Sequence, residues 1–273
     1  MSVELRTLRH DDVGELAALH NRAFADYPLP AQLDASQIAF YMDETDVRAD
    51  LSHLALVDGE FASFCLGAVR GGVASIRGEG TDPRFRRRGL GAEVLRATVE
   101  AVRGAGAGPV GLEVIDSNLA ALSLYEQFGF VRRRRLSAFS LPPPKSGARL
   151  RRRPRLEPLD TDEAVGRLES WGWPDAPWQL QPGSLRHVAA EGMGDEVVVL
   201  GRRRERRFWL YAIAVDPALR RRGLATRALA ALDADSIGVP ALVPEDWAEG
   251  NAFLRSVEAR PEALGQWEML LAE

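Results

Sequence analysis

The twelve residues from Thr81 to Ala92, TDPRFRRRGLGA, return from Val215 to Thr226 as VDPALRRRGLAT, 134 positions on and identical at seven of the twelve sites. A repeat at domain-sized spacing restricts the chain to one architecture built twice. At 273 residues each half is long enough to bury its own core. Each copy sets an Asp-Pro strand end ahead of three arginines, then a glycine-containing turn that opens an amphipathic helix. Such a turn leaves N–H groups unpaired at the positive end of a helix, which suits an anion such as a pyrophosphate. Gly89 and Gly91 let the main chain approach that anion, and Arg86, Arg87 and Arg88 add charge-assisted donors around Leu90. In the second copy the same parts fall to Arg220, Arg221, Arg222, Gly223, Leu224 and Ala225, behind the strand end at Val215. For one copy alone, a plain arginine turn on the surface would serve as well. Two copies in matching contexts favour the anion site.

Composition removes several chemistries. Lys145, in PPPKSG, is the only lysine, so a phosphate-loop lysine and a Schiff-base lysine in a core are both excluded. His10, His20, His53 and His187 have no metal-like spacing with one another or with Cys65, and no metal is expected. One cysteine allows no intrachain disulfide, which fits a reducing, cytoplasmic setting. The apolar runs are too short for a membrane span, and the N-terminus lacks the apolar stretch of a signal peptide. A formal charge of −4 gives no global attraction to nucleic acid, and strand alternation divides Arg132–Arg135 between two faces. The runs Arg151–Arg153 and Arg202–Arg204 keep an arginine-rich nucleic-acid reading open as a minor alternative. Gly106–Gly111 matches a dinucleotide glycine pattern on paper, but it follows a helix and precedes a strand, the reverse of that context.

The hydrophobic pattern predicts the same run of elements in each half, β-α-β-β-β-α-β-α-β, an α/β sandwich around a mixed sheet. In the first half, strands are expected at 3–8, 53–57, 61–69, 74–81, 110–115 and 131–141. Helices are expected near 10–24, after the glycine turn with Val94, Leu95, Val99 and Val102 inward, and at 118–128 with Gly129 as a left-handed stop. The second half gives a strand near Leu156, a helix at 162–171, a hairpin at about 185–202, strands at 208–215 and 240–243, and a final helix and tail. The expected domains are 1–141 and 150–273, joined by a Pro-rich linker at 142–149.

The strand, the R-x-x-G-x-G/A turn and the following helix resemble the acyl-CoA site of the GCN5-related N-acetyltransferases, the GNAT superfamily, and the order of elements extends the resemblance over both halves. It implies two tandem GNAT-like domains, each a mixed, mostly antiparallel sheet flanked by helices, with acetyl-CoA as co-substrate. The CoA pyrophosphate would sit on Arg86–Gly91. The pantetheine arm would lie in a splay between Arg77–Thr81 and Val110–Ile115, with an N–H near Gly80 or Thr81 on the thioester carbonyl. Asn118 matches the family asparagine that orders the helix start. Tyr125, seven residues on and on the same helix face, matches the tyrosine that protonates the departing thiolate. Packing against Phe128 and Phe130 is the other role open to Tyr125. Glu79, in the strand before the motif, is the candidate base, with a solvated strand glutamate as its plainer role.

In the second half, seven on from Asn251 stands Glu258 rather than tyrosine, and Ile213 occupies the Glu79 position. The first half is therefore expected to be the catalyst. The second would bind CoA without turnover or shape the acceptor site. The acceptor would be a primary amine of a small molecule or peptide, drawn by the acidic segment 26–50 or merely flanked by it. Trp171, Trp173 and Trp178 wall a pocket or, by preference, pack the two lobes. The expected assembly is a monomer or homodimer, and the competing reading is a non-catalytic acyl-CoA-binding or sensor protein.

Overall fold

The computed structural model describes residues 2–27, 32–142 and 155–272. The linker expected at 142–149, Pro142 apart, and the run Arg151–Arg153 lie outside the described residues. The chain divides into two compact units, one of residues 1–114, 118–133 and 269–273, the other of 115–117 and 134–268.

In the first unit, β1 (Val3–Thr7) leads into α1 (Val13–Ala23) and α2 (Ala35–Glu44), then β2 (His53–Val57), β3 (Glu60–Arg70), β4 (Val73–Thr81), α3 (Leu90–Gly104), β5 (Val110–Ile115) and α4 (Leu119–Gln127). Residues 115 at the end of β5 belong to the second unit. The sheet runs β1-β2-β3-β4-β5, antiparallel except for the parallel pair β4–β5. Asp34 opens α2 by accepting the Gln37 amide, and Gln37 returns a bond to the Asp34 N–H. α1 and α2 bury Leu16, Leu19 and Ile38 with Leu54 and Phe64 of the sheet. The inward face expected of α3 is buried at all four positions, Val94, Leu95, Val99 and Val102. It packs close to β3 because Gly67 stands beneath it. A Cβ there would meet the Leu51 carbonyl at 2.8 Å and Thr98 and Val102 methyls at 2.9 Å.

The second unit takes up β6 (Val131–Leu141) from Arg134 on, then β7 (Glu157–Leu159), α5 (Thr161–Ser170), α6 (Pro182–Leu185), β8 (Ala190–Met193), β9 (Val197–Arg204), β10 (Arg207–Val215), α7 (Leu224–Ala231), β11 (Ser236–Pro244), α8 (Ala248–Ser256) and most of β12 (Arg260–Leu271). Its strands run β12-β6-β11-β10-β9-β8-β7, with β10–β11 parallel and β6–β11 antiparallel. Where the sequence suggested a tail, β12 is the longest strand described. Where it suggested one long hairpin from Leu185, the chain first makes the short helix α6, because Pro182 fits the first turn of a helix. The arginine run in β6 is spent on ion pairs: Arg132 with Glu126, Arg134 with Glu268, and Arg135 with Asp116 and Glu245.

One irregularity recurs in both units. Register along β3–β4 jumps from Leu66–Gly78 to Gly67–Ile76, which leaves Arg77 as a bulge residue. Register along β9–β10 jumps between Leu210 and Ala212, which leaves Tyr211 as the bulge, 134 positions after Arg77. A bulge turns a strand away from its neighbour. The parallel ladders stop just before it, at Ile76–Leu112 in one unit and Trp209–Gly238 in the other.

Gly67→Ala is expected to cost about 2 kcal/mol, since the added methyl meets main chain as well as side chains. Urea denaturation of the full chain measures it. Unchanged stability would mean that α3 does not rest on β3 as closely as described.

Candidate active site

The first corner is built by fixed local bonds. Asp82 accepts the Arg84 N–H at 2.9 Å and pairs with Arg22 at 2.6 Å and with the Arg84 guanidinium at 2.8 Å. The two guanidiniums, Arg84 foremost, hold its carboxyl well below the usual carboxylate range. The chain then turns through two left-handed residues, Arg87 at φ 60° and Gly89 at φ 83°, and enters α3 at Leu90. Among the described residues the amides of Arg87, Gly89, Leu90, Gly91 and Ala92 have no hydrogen-bond acceptor, and the first helical bond is from Glu93 to the Gly89 carbonyl. These donors are the ones an anion would use.

The second corner repeats the geometry. Asp216 accepts the Ala218 N–H at 2.8 Å, Arg221 and Gly223 are left-handed at φ 66° and 74°, and α7 starts at Leu224. The amides of Arg221, Gly223, Leu224 and Ala225 likewise have no acceptor among the described residues.

The three arginines of each corner differ in duty. Arg86 reaches back into the protein: Nε donates to the Thr81 carbonyl at 3.2 Å, Nη2 to the Ala23 carbonyl at 2.8 Å, and both terminal nitrogens to Asp26. Arg220 copies this, with Nε on the Val215 carbonyl at 3.3 Å and Nη2 on the Trp171 carbonyl at 2.9 Å. In each unit the first arginine thus ties the corner to the end of that unit's first helix. Arg88 lies over the Phe85 ring and donates to the Arg84 carbonyl at 3.2 Å, and both Arg87 and Arg88 are exposed.

Behind the first corner the two catalytic candidates meet. The Tyr125 hydroxyl donates to Glu79 Oε2 at 3.3 Å, and a Cβ on Gly91 would lie 2.8 Å from Glu79 Oε1. Glycine at 91 therefore lets α3 begin directly over the carboxylate. Burial raises the Glu79 carboxyl to about 7, a shift that the Tyr125 hydrogen bond partly opposes. Burial also raises Tyr125, and the neighbouring Glu79 adds to that shift, so its phenol is protonated near neutral pH. Asn118 caps α4, its Oδ1 accepting the Ala121 N–H at 3.2 Å. Ser63 donates to the Gly80 carbonyl at 3.1 Å and shares a 2.8 Å hydroxyl contact with Thr81.

Sequence reasoning missed the residues lining the start of the splay. Arg77 and Glu113 form a buried ion pair between β4 and β5 where they part, and Tyr41 of α2 donates to the Arg77 carbonyl. Arg77 Nε has no partner among the described residues. Glycines flanking Glu79 in a strand were the available sign of a bulge there. Also missed was an aromatic group beside Gly80, made by Phe24, Tyr27 and Phe64 with His20 against Phe24. The acidic segment is largely spent on structure: Asp26 on Arg86, Asp34 on the α2 cap, Asp46 on Arg70 and Asp50 on Arg48.

In the second unit the helix register changes the pairing expected from sequence. Asn251 lies inside α8 and donates to the Pro244 and Trp247 carbonyls, both at 2.8 Å. The residue before α8 is Trp247, which therefore matches Asn118. Phe130 N–H bonds the Tyr125 carbonyl at 3.0 Å, and Ala259 N–H bonds the Leu254 carbonyl at 2.9 Å. Leu254, not Glu258, is thus the counterpart of Tyr125, while left-handed Glu258 matches Gly129. A cavity of about 400 Å³ runs from Arg220–Ala225 to Trp171, Trp173 and Trp247. Trp178 is buried in the same unit and does not line it.

A β-bulged splay thus stands beside an arginine-glycine corner, with Tyr125 and Glu79 in hydrogen-bond contact. Residues 16–130 match the acetyltransferase (GNAT) family. Over 127 residues it is 32% identical to the mycothiol acetyltransferase of Clavibacter michiganensis, covering 46% of this chain and 42% of that protein. Over 73 residues it is 34% identical to the [ribosomal protein bS18]-alanine N-acetyltransferase of Escherichia coli, covering 27% of this chain and 49% of the other. The chain thus spans less than half the length of the curated relatives it matches. The fold is that of a tandem GNAT protein from the clavulanic acid biosynthesis pathway, at TM-score 0.74 and 14% identity over 99% of this chain and 98% of that one. A GCN5-related N-acetyltransferase from Sphaerobacter thermophilus gives TM-score 0.68 and 19% identity over 99% and 95% of the two chains. Among the described residues no helix is long and apolar enough to cross a membrane.

The Glu79 carboxyl is expected to titrate near pH 7 in the folded protein. Tyr125→Phe removes a hydrogen bond to the ionised form and should raise that midpoint. Carbon-detected NMR of labelled glutamate reads both. A Glu79 midpoint in the ordinary carboxylate range would show that it is not desolvated as described.

Proposed function

We infer that the first unit transfers the acetyl group of acetyl-CoA to a primary amine of a small molecule or peptide, by direct attack in a ternary complex. The observation that carries this reading is the Tyr125–Glu79 hydrogen bond lying directly behind a corner of unpaired amides. The corner amides of Arg87 and of Gly89 to Ala92 would receive the diphosphate, with the exposed Arg87 beside them. The edges of β4 and β5 beyond Ile76 and Leu112 would receive the pantetheine amides as a strand does. Asn118 and Arg86 act as positioning residues, one fixing the start of α4 and the other the corner.

Acetyl-CoA supplies the activated acyl group. Glu79, ionised above about pH 7, accepts the proton that the attacking amine sheds. Tyr125, held protonated, donates to the departing sulfur. The Tyr125–Glu79 bond then passes the proton from the carboxyl back to the phenolate, so both groups return to their starting states. The aromatic side chains at Phe24, Tyr27 and Phe64 favour an amine carried on an apolar body over a polycation. In the second unit Leu254 and Ile213 stand at the Tyr125 and Glu79 positions. Neither can hold a proton, so a non-catalytic, CoA-binding role suits that unit.

A thiol-release assay over a panel of amines and peptides tests the function. The rate should rise with pH through about 7, because the base must be ionised, and Glu79→Gln should flatten that limb. Tyr125→Phe should lower kcat at least tenfold with little change in acetyl-CoA affinity. Wild-type turnover in both variants would remove the pair from the mechanism.

A further inference from the structure

The cavity of the second unit is shaped by the same bulge as the splay of the first, with different side chains at its throat. The first unit places the Arg77–Glu113 ion pair between the diverging strands. The second has the bulge residue Tyr211 and, one step beyond the matching pair position on β11, Pro240, and both line the cavity. The charged side chains of its lining are Arg220, Arg221 and Glu249, with Arg220 3.8 Å from Glu249. Arg220 also donates to the Trp171 carbonyl at 2.9 Å, so Trp171 adjoins this charged group. The rest of the lining is largely apolar and includes Leu168, Leu180, Trp171, Trp173 and Trp247, with Trp173 and Trp247 edge to face at 5.6 Å. Trp173 is held in place by its indole N–H, which donates to the Leu180 carbonyl at 2.8 Å.

The position of the tryptophans gives them a meaning. Arg220 bonds the Trp171 carbonyl as Arg86 bonds that of Ala23, so Trp171 and Trp173 follow the end of α5 where Ala23 and the aromatic group follow α1. In the first unit that is the acceptor side of the proposed reaction. Here Glu249 is the one carboxylate of the lining, 3.8 Å from Arg220, and the side chains of Leu168, Trp171, Trp173 and Leu180 are apolar, a better place for hydrocarbon than for an ammonium.

We propose that this cavity binds a CoA thioester with an acyl chain longer than acetyl, diphosphate on the Arg221–Ala225 corner and hydrocarbon between the tryptophans, and that it holds the thioester without transferring its acyl group. Charge complementarity selects the anionic head, and the indole wall selects the tail. The proposal rests on the reading of both corners as CoA sites.

The chain supplies its own reporter. All six tryptophans, at 171, 173, 178, 209, 247 and 267, belong to the second unit, so indole emission originates in that unit. Full-length protein is titrated with CoA, acetyl-CoA, butanoyl-CoA and hexanoyl-CoA. Affinity read by emission should tighten roughly two- to fourfold per added methylene. Ala225→Glu, which sets a negative charge at the corner, should weaken all the thioesters alike. Trp173→Leu should abolish the dependence on chain length while CoA itself still binds. Gly91→Glu, which closes the first corner, should leave hexanoyl-CoA binding intact and release no thiol with the amine panel. Equal affinity for CoA and hexanoyl-CoA, or thiol release at the wild-type rate in Gly91→Glu, would overturn the proposal. A silent emission titration with acetyl-CoA still binding the first unit by calorimetry would overturn it alone. Failure of calorimetric binding at both corners would bring down the underlying reading as well.

Discussion

The bulge at Arg77, repeated at Tyr211, is the constraint from which both sites follow. A parallel strand pair with an unbroken ladder has no vacant main-chain groups between its strands. One extra residue turns β4 from β5, and β10 from β11, immediately after the last paired rung. The turn opens a wedge whose edges carry unused donors and acceptors and whose mouth faces the corner at the start of the next helix. Without it the arginine-glycine turn would still leave its amides unpaired, but no wedge would lead from them into the sheet.

The two wedges then take different electrostatic characters. In the first, Glu79 and Tyr125 are desolvated together, and desolvation brings the carboxyl close to neutrality while keeping the phenol protonated. The buried Arg77–Glu113 pair adds charge at the throat, where losing either partner would strand the other in a dry setting. In the second wedge Ile213, Leu254, Tyr211 and Pro240 remove nearly all of that polarity. The same backbone thus carries a carboxylate and a phenol in one unit and mostly apolar side chains in the other.

The strand ends and corners were readable from sequence because their offset of 134 is constant and their glycines have a conformational duty, the left-handed turn at Gly89 and at Gly223. The inward face of α3 was readable from its period. The offset is not kept further on: α4 and α8 are related by 129, since Asn118 matches Trp247. Counting from Asn251 therefore went astray, and only the helix hydrogen bonds reset it. Pairings between distant residues left no local sign. That Arg86 would be taken up by Asp26 and Ala23, or that the acids of 26–50 would serve caps and ion pairs, depends on where folded segments meet. The compact units also divide the strand at 131–141, whose periodicity says only that it is a strand.

The ends of the two matched helices differ in a way that outlasts any ligand. After α4 the chain reverses through Gly129 at φ 92°, which glycine adopts freely. After α8 it reverses through Glu258 at φ 57°, where a side chain carries a cost of roughly 1 kcal/mol. The later copy of this architecture therefore stores conformational tension in its closing turn that the earlier copy does not.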